Sequence, residues 1–371
     1  MQLFYFFPMT NYFFLFVMRK LWMKLMIFNH QTMKKHLVLI LAINLFFLLP
    51  LHGFAQKHKE PVKIIFDSDM GPDFDDVGAI TILHSLAAKG ECEILATMAS
   101  DGYKYIAPTL EVFNRYFQKP NIPIGIPGAD APAFSCPNHW NDSLVVKFLP
   151  KLKTNKDYPS ATEVYRKVLA AQKDHSVIIV TVGFLTNLSA LLHSKPDQFS
   201  SLAGKELVAQ KVKKWVAMAG GFPEGNEFNL NQHASASVYV IQNWPTPILF
   251  SGVEIGNKIM TGNKVATQGT KGSPVQWAYH YCLSNYENKQ SLNRNSWDPT
   301  AVLCAVRNPE DYFYVISNGT VICNTDGSNT WNPEKNSNHS FLVHKYPYQK
   351  IADILDDLML YEPKTTVITT K

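Results

Sequence analysis

The 371-residue chain carries 35 Lys and Arg against 30 Asp and Glu, a formal net charge of +5. All five excess charges (Arg19, Lys20, Lys24, Lys34 and Lys35) lie in residues 1–55, which hold no acidic residue, so the 316 residues from Gln56 onward are balanced at 30 against 30. The basic net charge therefore gives no support for nucleic-acid binding, and the length suffices for one large domain with a substantial core.

From Met33, "MKKHLVLILAINLFFLLPLHGFAQ" has two lysines, an apolar run and Ala55 before Gln56. This is the layout of a secretory signal, and a run of about fifteen apolar residues is short for a membrane span. The expectation is a leader over 1–55 with a signal peptide at 33–55, cleaved near Ala55. The mature protein is then secreted or periplasmic and has no membrane attachment, with a retained signal anchor as the alternative. Residues 1–32 are left out of the fold, and 56–371 is read as a single domain.

Along that domain, "VKIIF" is predicted as a strand and "DDVGAITILHSLAAKG" as a helix ended by Gly90. "CEILATMAS" follows as a strand, "IAPTLEVFNRYFQK" as a helix and "IPIGIPG" as a short strand. "ATEVYRKVLAAQKD" is helical, "SVIIVTVG" a buried strand and "FLTNLSALLHS" a helix, with "VKKWVAMAG" and "PTPILFSG" as later strands. Such alternation predicts an α/β fold, a mostly parallel open sheet with helices on both faces, whose ligand site lies beyond the carboxyl ends of the strands. Five cysteines show no CxxC or zinc spacing, and Cys92 and Cys304 read as core thiols.

"KIIFDSDMGPDFDD", Lys63 to Asp76, places five aspartates at one of those strand ends. Capping a helix accounts for Asp75 or Asp76 and an ordinary turn accounts for Asp73. Neither accounts for Asp67 and Asp69, whose charges repel the pair that follows. A divalent cation does, and oxygen ligands without a nearby His or Cys pair favour calcium or magnesium over zinc.

"DSDMGPDFDD" resembles the DxDxxxDD signature of the inosine-uridine preferring nucleoside hydrolases, with two extra residues before the final pair. "VGFLTNLSALL", "MAGGF", "EFNL" and "SWDPTAVLCAV" resemble further family segments in the same chain order, from about Val62 to about Val306. The resemblance implies a ribonucleoside substrate and Ca2+ bound by Asp69, Asp76, Asp298 and the backbone carbonyl of Val182. Asp67 would orient its neighbours. Asp75, Glu227 and Asn229 would hold ribose hydroxyls, Met218 and Phe228 would wall the ribose, and Asp69 would be the general base. The implied partners are a small-molecule ribonucleoside and no nucleic acid; a homo-oligomer remains open.

Several positions depart from the family pattern. Trp297 stands where many members carry a histidine before the last metal aspartate, which resembles the purine-preferring branch and makes Trp297 the residue expected to activate the leaving base by stacking. Trp140 is a candidate second ring and His139 an alternative acid. Asn226 substitutes for the family asparagine that holds the 5'-hydroxyl, and Ser100 and Asp101 stand where an asparagine is common. Two other readings exist. "IIFDSDM" also resembles the haloacid-dehalogenase-type phosphatases, although Gly71 stands where those carry Thr or Val. A secreted nucleoside-binding homologue without turnover is the second.

Overall fold

Alternate residues of the central strands feed opposite cores. In β1 (Val62–Ser68), Ile64 and Phe66 pack into one cluster and Ile65 into the other. β4 (Val177–Thr181) divides in the same way, Ile178 and Val180 against Val177 and Ile179. Both faces of these strands are therefore covered, as a parallel sheet requires. This is a computed structural model that describes residues 18–20, 60–136, 138–285, 293–335 and 337–364. Residues 33–55, where the signal peptide is expected, lie outside the described residues. Among the described residues no helix is long and apolar enough to cross a membrane.

Among the described residues the sheet has ten strands in the order β3-β2-β1-β4-β5-β7-β12-β10-β11-β6. The remaining ranges are β2 Cys92–Ala99, β3 Ile124–Gly125, β5 Val212–Met218, β6 Glu224–Asn226, β7 Ile248–Ser251, β10 Phe313–Cys323, β11 Ser328–Asn332 and β12 His339–His344. Pairings from β3 across to β12 are parallel, and those from β12 to β6 antiparallel. The chain runs outward from β1 to β3 and then returns to β4 on the other side of β1. Strand order thus reverses between β1 and β4, the position where open α/β sheets bind ligands. A separate antiparallel pair joins β8 (Met260–Thr261) to β9 (Arg294–Asn295).

One buried cation ties a loop to this scaffold. Arg166, in the helix Ala161–Ala170, is 2% exposed and donates to both carboxylate oxygens of Asp197, at 2.7 and 3.0 Å. It also donates to Ser194 Oγ and to the carbonyls of Ser200 and Leu202. The Arg166 guanidinium holds the Asp197 carboxyl at about 2, below its ordinary 3.8. The pair's contribution is therefore complete above pH 3.8 and lost as pH falls toward 2. Asp197→Ala should cost about 2 kcal/mol at pH 7, less than a fully buried pair because Asp197 is partly exposed and Arg166 keeps three other acceptors. Denaturant melts at both pH values check this; a stability gap that does not narrow in acid would refute the assignment.

Candidate active site

β1 ends in a turn built around Asp76. Met70 adopts a left-handed φ of 41°, a strained conformation for a non-glycine residue, and its amide donates to Ser68 Oγ and Asp76 Oδ1, both at 3.1 Å. Ser68 Oγ donates to the same Asp76 oxygen at 2.6 Å. The turn brings Asp69 within hydrogen-bonding reach of Asp76. Asp67, with the opposite strand parity to Phe66, faces the second core, where Tyr165 Oη (2.7 Å) and Asn187 Nδ2 (3.2 Å) donate to it. Asp67 is therefore satisfied by protein groups, and burial raises its carboxyl to about 7.

Beside β1, the chain leaving β4 passes through Val182 and Gly183, with the Val182 amide donating to the Asp67 carbonyl at 2.8 Å. A Cβ on Gly183 would lie 2.5 Å from the Asp69 amide nitrogen, so only glycine lets this turn close on the aspartates. Beyond β5, Glu227 gathers the amides of Asn229 (2.7 Å), Gly220 (3.0 Å) and Leu230 (3.2 Å). Burial raises Glu227 to about 7 against those three amides. Asn229 Nδ2 donates to the Met218 carbonyl at 3.0 Å, and Asn226 Oδ1 accepts from Asn231. The antiparallel strands brace this loop: β11 pairs with β6, and Asn329 both accepts from the Gly221 amide and donates to its carbonyl.

Two helix N-termini close the site. The helix Asp75–Ala88 begins with Asp75 and Asp76 but has no side-chain cap of its own. Asp75 instead accepts the Asp298 amide, at 3.0 Å, in the first turn of the helix Trp297–Val306. Carboxylates at both termini suit the helix dipoles. Yet burial, and then the charges of neighbouring aspartates, Asp76 among them in each case, push Asp69, Asp75 and Asp298 well above the ordinary carboxylate range.

All these elements line one cavity of about 310 Å³. The residues assigned from sequence to the metal, the ribose and the stacking wall at Trp297 reach it: Asp69 from the turn after β1, Asp75 and Asp76 from the helix that follows, Val182 and Met218 from the ends of β4 and β5, Asn226, Glu227, Phe228 and Asn229 from the loop, and Trp297 and Asp298 from the late helix. Phe228 remains 42% exposed and meets Phe134 and Phe184 at ring-centroid distances of 5.7 and 5.8 Å. Trp140 is not among the lining residues. It is fully buried, so the expectation of a second base-stacking ring fails there; its place at the start of the helix Trp140–Phe148 turns it into the core. His139 is also absent from the lining and lies 3.8 Å from Asp142. Asp73, read from sequence as a turn residue, lines the cavity and pairs with Arg294. Val253 and Pro72 complete the wall, and nothing in their local sequence marks them.

Carboxylate oxygens of Asp75, Asp76 and Asp298 come within 4.8 Å of one another, and Asp69 adjoins Asp76. No His or Cys is among the lining residues. A buried, mutually repelling, oxygen-only donor set fits a hard divalent metal ion, which would relieve the repulsion.

A search of curated proteins finds no match. Solved structures do match in fold. A plant nucleoside hydrolase, PpNRh1, is 17% identical with a TM-score of 0.62, covering 81% of this chain and 99% of its own. An inosine-guanosine nucleoside hydrolase is 20% identical with a TM-score of 0.61 over the same shares. The type III effector XopQ, complexed with adenosine diphosphate ribose, is 18% identical with a TM-score of 0.56, covering 81% and 93%. Residues 64–347 match the sequence model of the family described as inosine-uridine preferring nucleoside hydrolase, and the chain belongs to that family of metal-dependent enzymes that hydrolyse the N-glycosidic bond of nucleosides.

Proposed function

We propose that the chain is an exported, calcium-dependent ribonucleoside hydrolase that favours purine nucleosides. The observation that carries the reading is that Trp297 and Asp298, at one helix start, line the same cavity as Asp69, Asp75 and Asp76. Asp69, Asp76, Asp298 and the Val182 carbonyl would hold calcium, an ion that accepts the larger number of oxygen ligands reached when ribose hydroxyls and water are added. When bound, it would supply Lewis acidity that lowers the pKa of a coordinated water.

The protein's own groups do the rest. Asp75, Glu227 and Asn229 hold the ribose hydroxyls, with Met218 and Phe228 against the ring. Asp69 accepts a proton from the water that attacks C1'. The C1'–N bond breaks as the C1'–O bond forms, its electron pair leaving with the base. Surrounding carboxylates stabilise the positive charge that develops on the ribose. Trp297 stacks on the base, and the larger purine face gains more from that contact than a pyrimidine does.

A reducing-sugar assay on the extracytoplasmic protein, across ribonucleosides and with a calcium chelator, tests the reading. Inosine, guanosine and adenosine should exceed uridine and cytidine by roughly tenfold, one stacked ring being worth about that in rate. Chelation should abolish the activity and calcium restore it. Trp297→Ala should lower inosine hydrolysis about tenfold and leave calcium affinity nearly intact. A preference for uridine, or indifference to chelation, would defeat the proposal.

A further inference from the structure

We propose that Arg294 is a positioning residue for the base end of the cavity, fixing Trp297 and Asp73 in the arrangement that sets discrimination between bases. This rests on reading Trp297 as the wall against which the base stacks. Arg294 is not among the lining residues, yet it touches two that are. Its Nε donates to Asp73 Oδ1 and Oδ2 at 2.9 and 3.1 Å, and its Nη2 also reaches Asp73. Its Cζ lies 5.1 Å from the Trp297 ring centroid and 5.9 Å from that of Phe74. One guanidinium thus joins the aspartate loop to the aromatic wall through a forked ion pair and a cation–π contact, a combination Lys cannot reproduce.

The surrounding geometry leaves Trp297 little freedom. Its indole Nε1 donates to the Val253 carbonyl and to Asn257 Oδ1, both at 3.0 Å. A Cβ on Gly256 would lie 2.4 Å from Trp297 Cα, so the helix Val253–Lys258 packs directly beneath it. Arg294 is itself anchored in β9, opposite Thr261 of β8. With the ring's edge and backbone fixed, the guanidinium governs its remaining tilt. The pair also offsets the charge of Asp73, which would otherwise stand unpaired beside Asp75 and Asp76.

The test compares the full-length chain with Arg294→Ala, Arg294→Lys and the double variant Asp73→Asn/Arg294→Ala. It reads kcat and KM for inosine and for uridine, calcium affinity, and the melting temperature. Arg294→Ala should lower kcat/KM for inosine about tenfold and that for uridine by no more than about twofold, with calcium affinity not reduced, since the uncovered Asp73 charge favours a cation. Arg294→Lys should recover the melting temperature without recovering the preference. The double variant should stay unselective, because removing the Asp73 charge does not restore the ring's cover. An unchanged inosine-to-uridine ratio in Arg294→Ala, an equal fall for both substrates, or recovery of preference in the double variant would each overturn the proposal. Failure of the unsubstituted chain to hydrolyse any nucleoside would instead overturn the underlying reading.

Discussion

Asp298→Ala is expected to remove calcium binding almost as completely as Asp76→Ala, although Asp298 lies 223 positions from Asp75. Its carboxylate oxygen is within 4.8 Å of those of Asp75 and Asp76, close enough for one ion to span them. Groups that merely orient metal ligands cost about 10–100-fold in affinity when removed, so a direct ligand should cost more than about 100-fold. The metal-free protein should behave in the opposite sense. Burial and the charges of Asp75, Asp76 and Asp69 all disfavour an ionised Asp298, so its loss should leave the metal-free melting temperature unchanged or raised. Calcium at about 100 times its dissociation constant stabilises a protein by about 2.7 kcal/mol, and this increment is what the variant should lack. Paired melts with and without calcium separate the two effects. Undiminished calcium affinity in Asp298→Ala would remove the late helix from the metal site.

The sequence exposed the site better than it exposed the frame that holds it. A continuous apolar run and a dense aspartate run locate β1 and its carboxyl end, because burial on both faces and charge at a strand end leave direct marks on composition. The phosphatase alternative shared only that first strand, and the family match over residues 64–347 set it aside. Less legible was the antiparallel extension through β12, β10 and β11. Its strands carry exposed apolar residues such as Tyr314 and Ile316, so their pattern is not a clean inside-outside alternation. That extension matters to the site because Asn329 secures Gly221 from a strand distant in sequence. Asp73 and Arg294 were hidden for the same reason: an ion pair across 221 positions leaves no local signature. Trp140 failed in the other direction. An aromatic in a polar stretch, "CPNHWND", reads as a surface ring, whereas the helix it starts rotates it inward.

Asp69→Asn should lower kcat by about 10²–10⁴-fold when measured with calcium bound, the usual worth of a positioned general base. The substitution keeps the side chain's shape and one carbonyl oxygen but removes the group that takes the water's proton. Because Asp69 also adjoins Asp76, calcium affinity should weaken as well, so turnover must be compared at calcium concentrations that saturate each protein. Asn229→Ala provides the contrast. Asn229 Nδ2 is committed to the Met218 carbonyl at 3.0 Å, which fixes the side chain against the cavity wall. Its removal should weaken the oriented ribose complex and appear mainly in KM, by about tenfold for one lost hydrogen bond of ordinary strength. A calcium-loaded Asp69→Asn enzyme with near-normal kcat would show that the proton goes elsewhere. Asp75, the cavity carboxylate that accepts the Asp298 amide, would then be the group to test, since it is the remaining acid in contact with both helix N-termini.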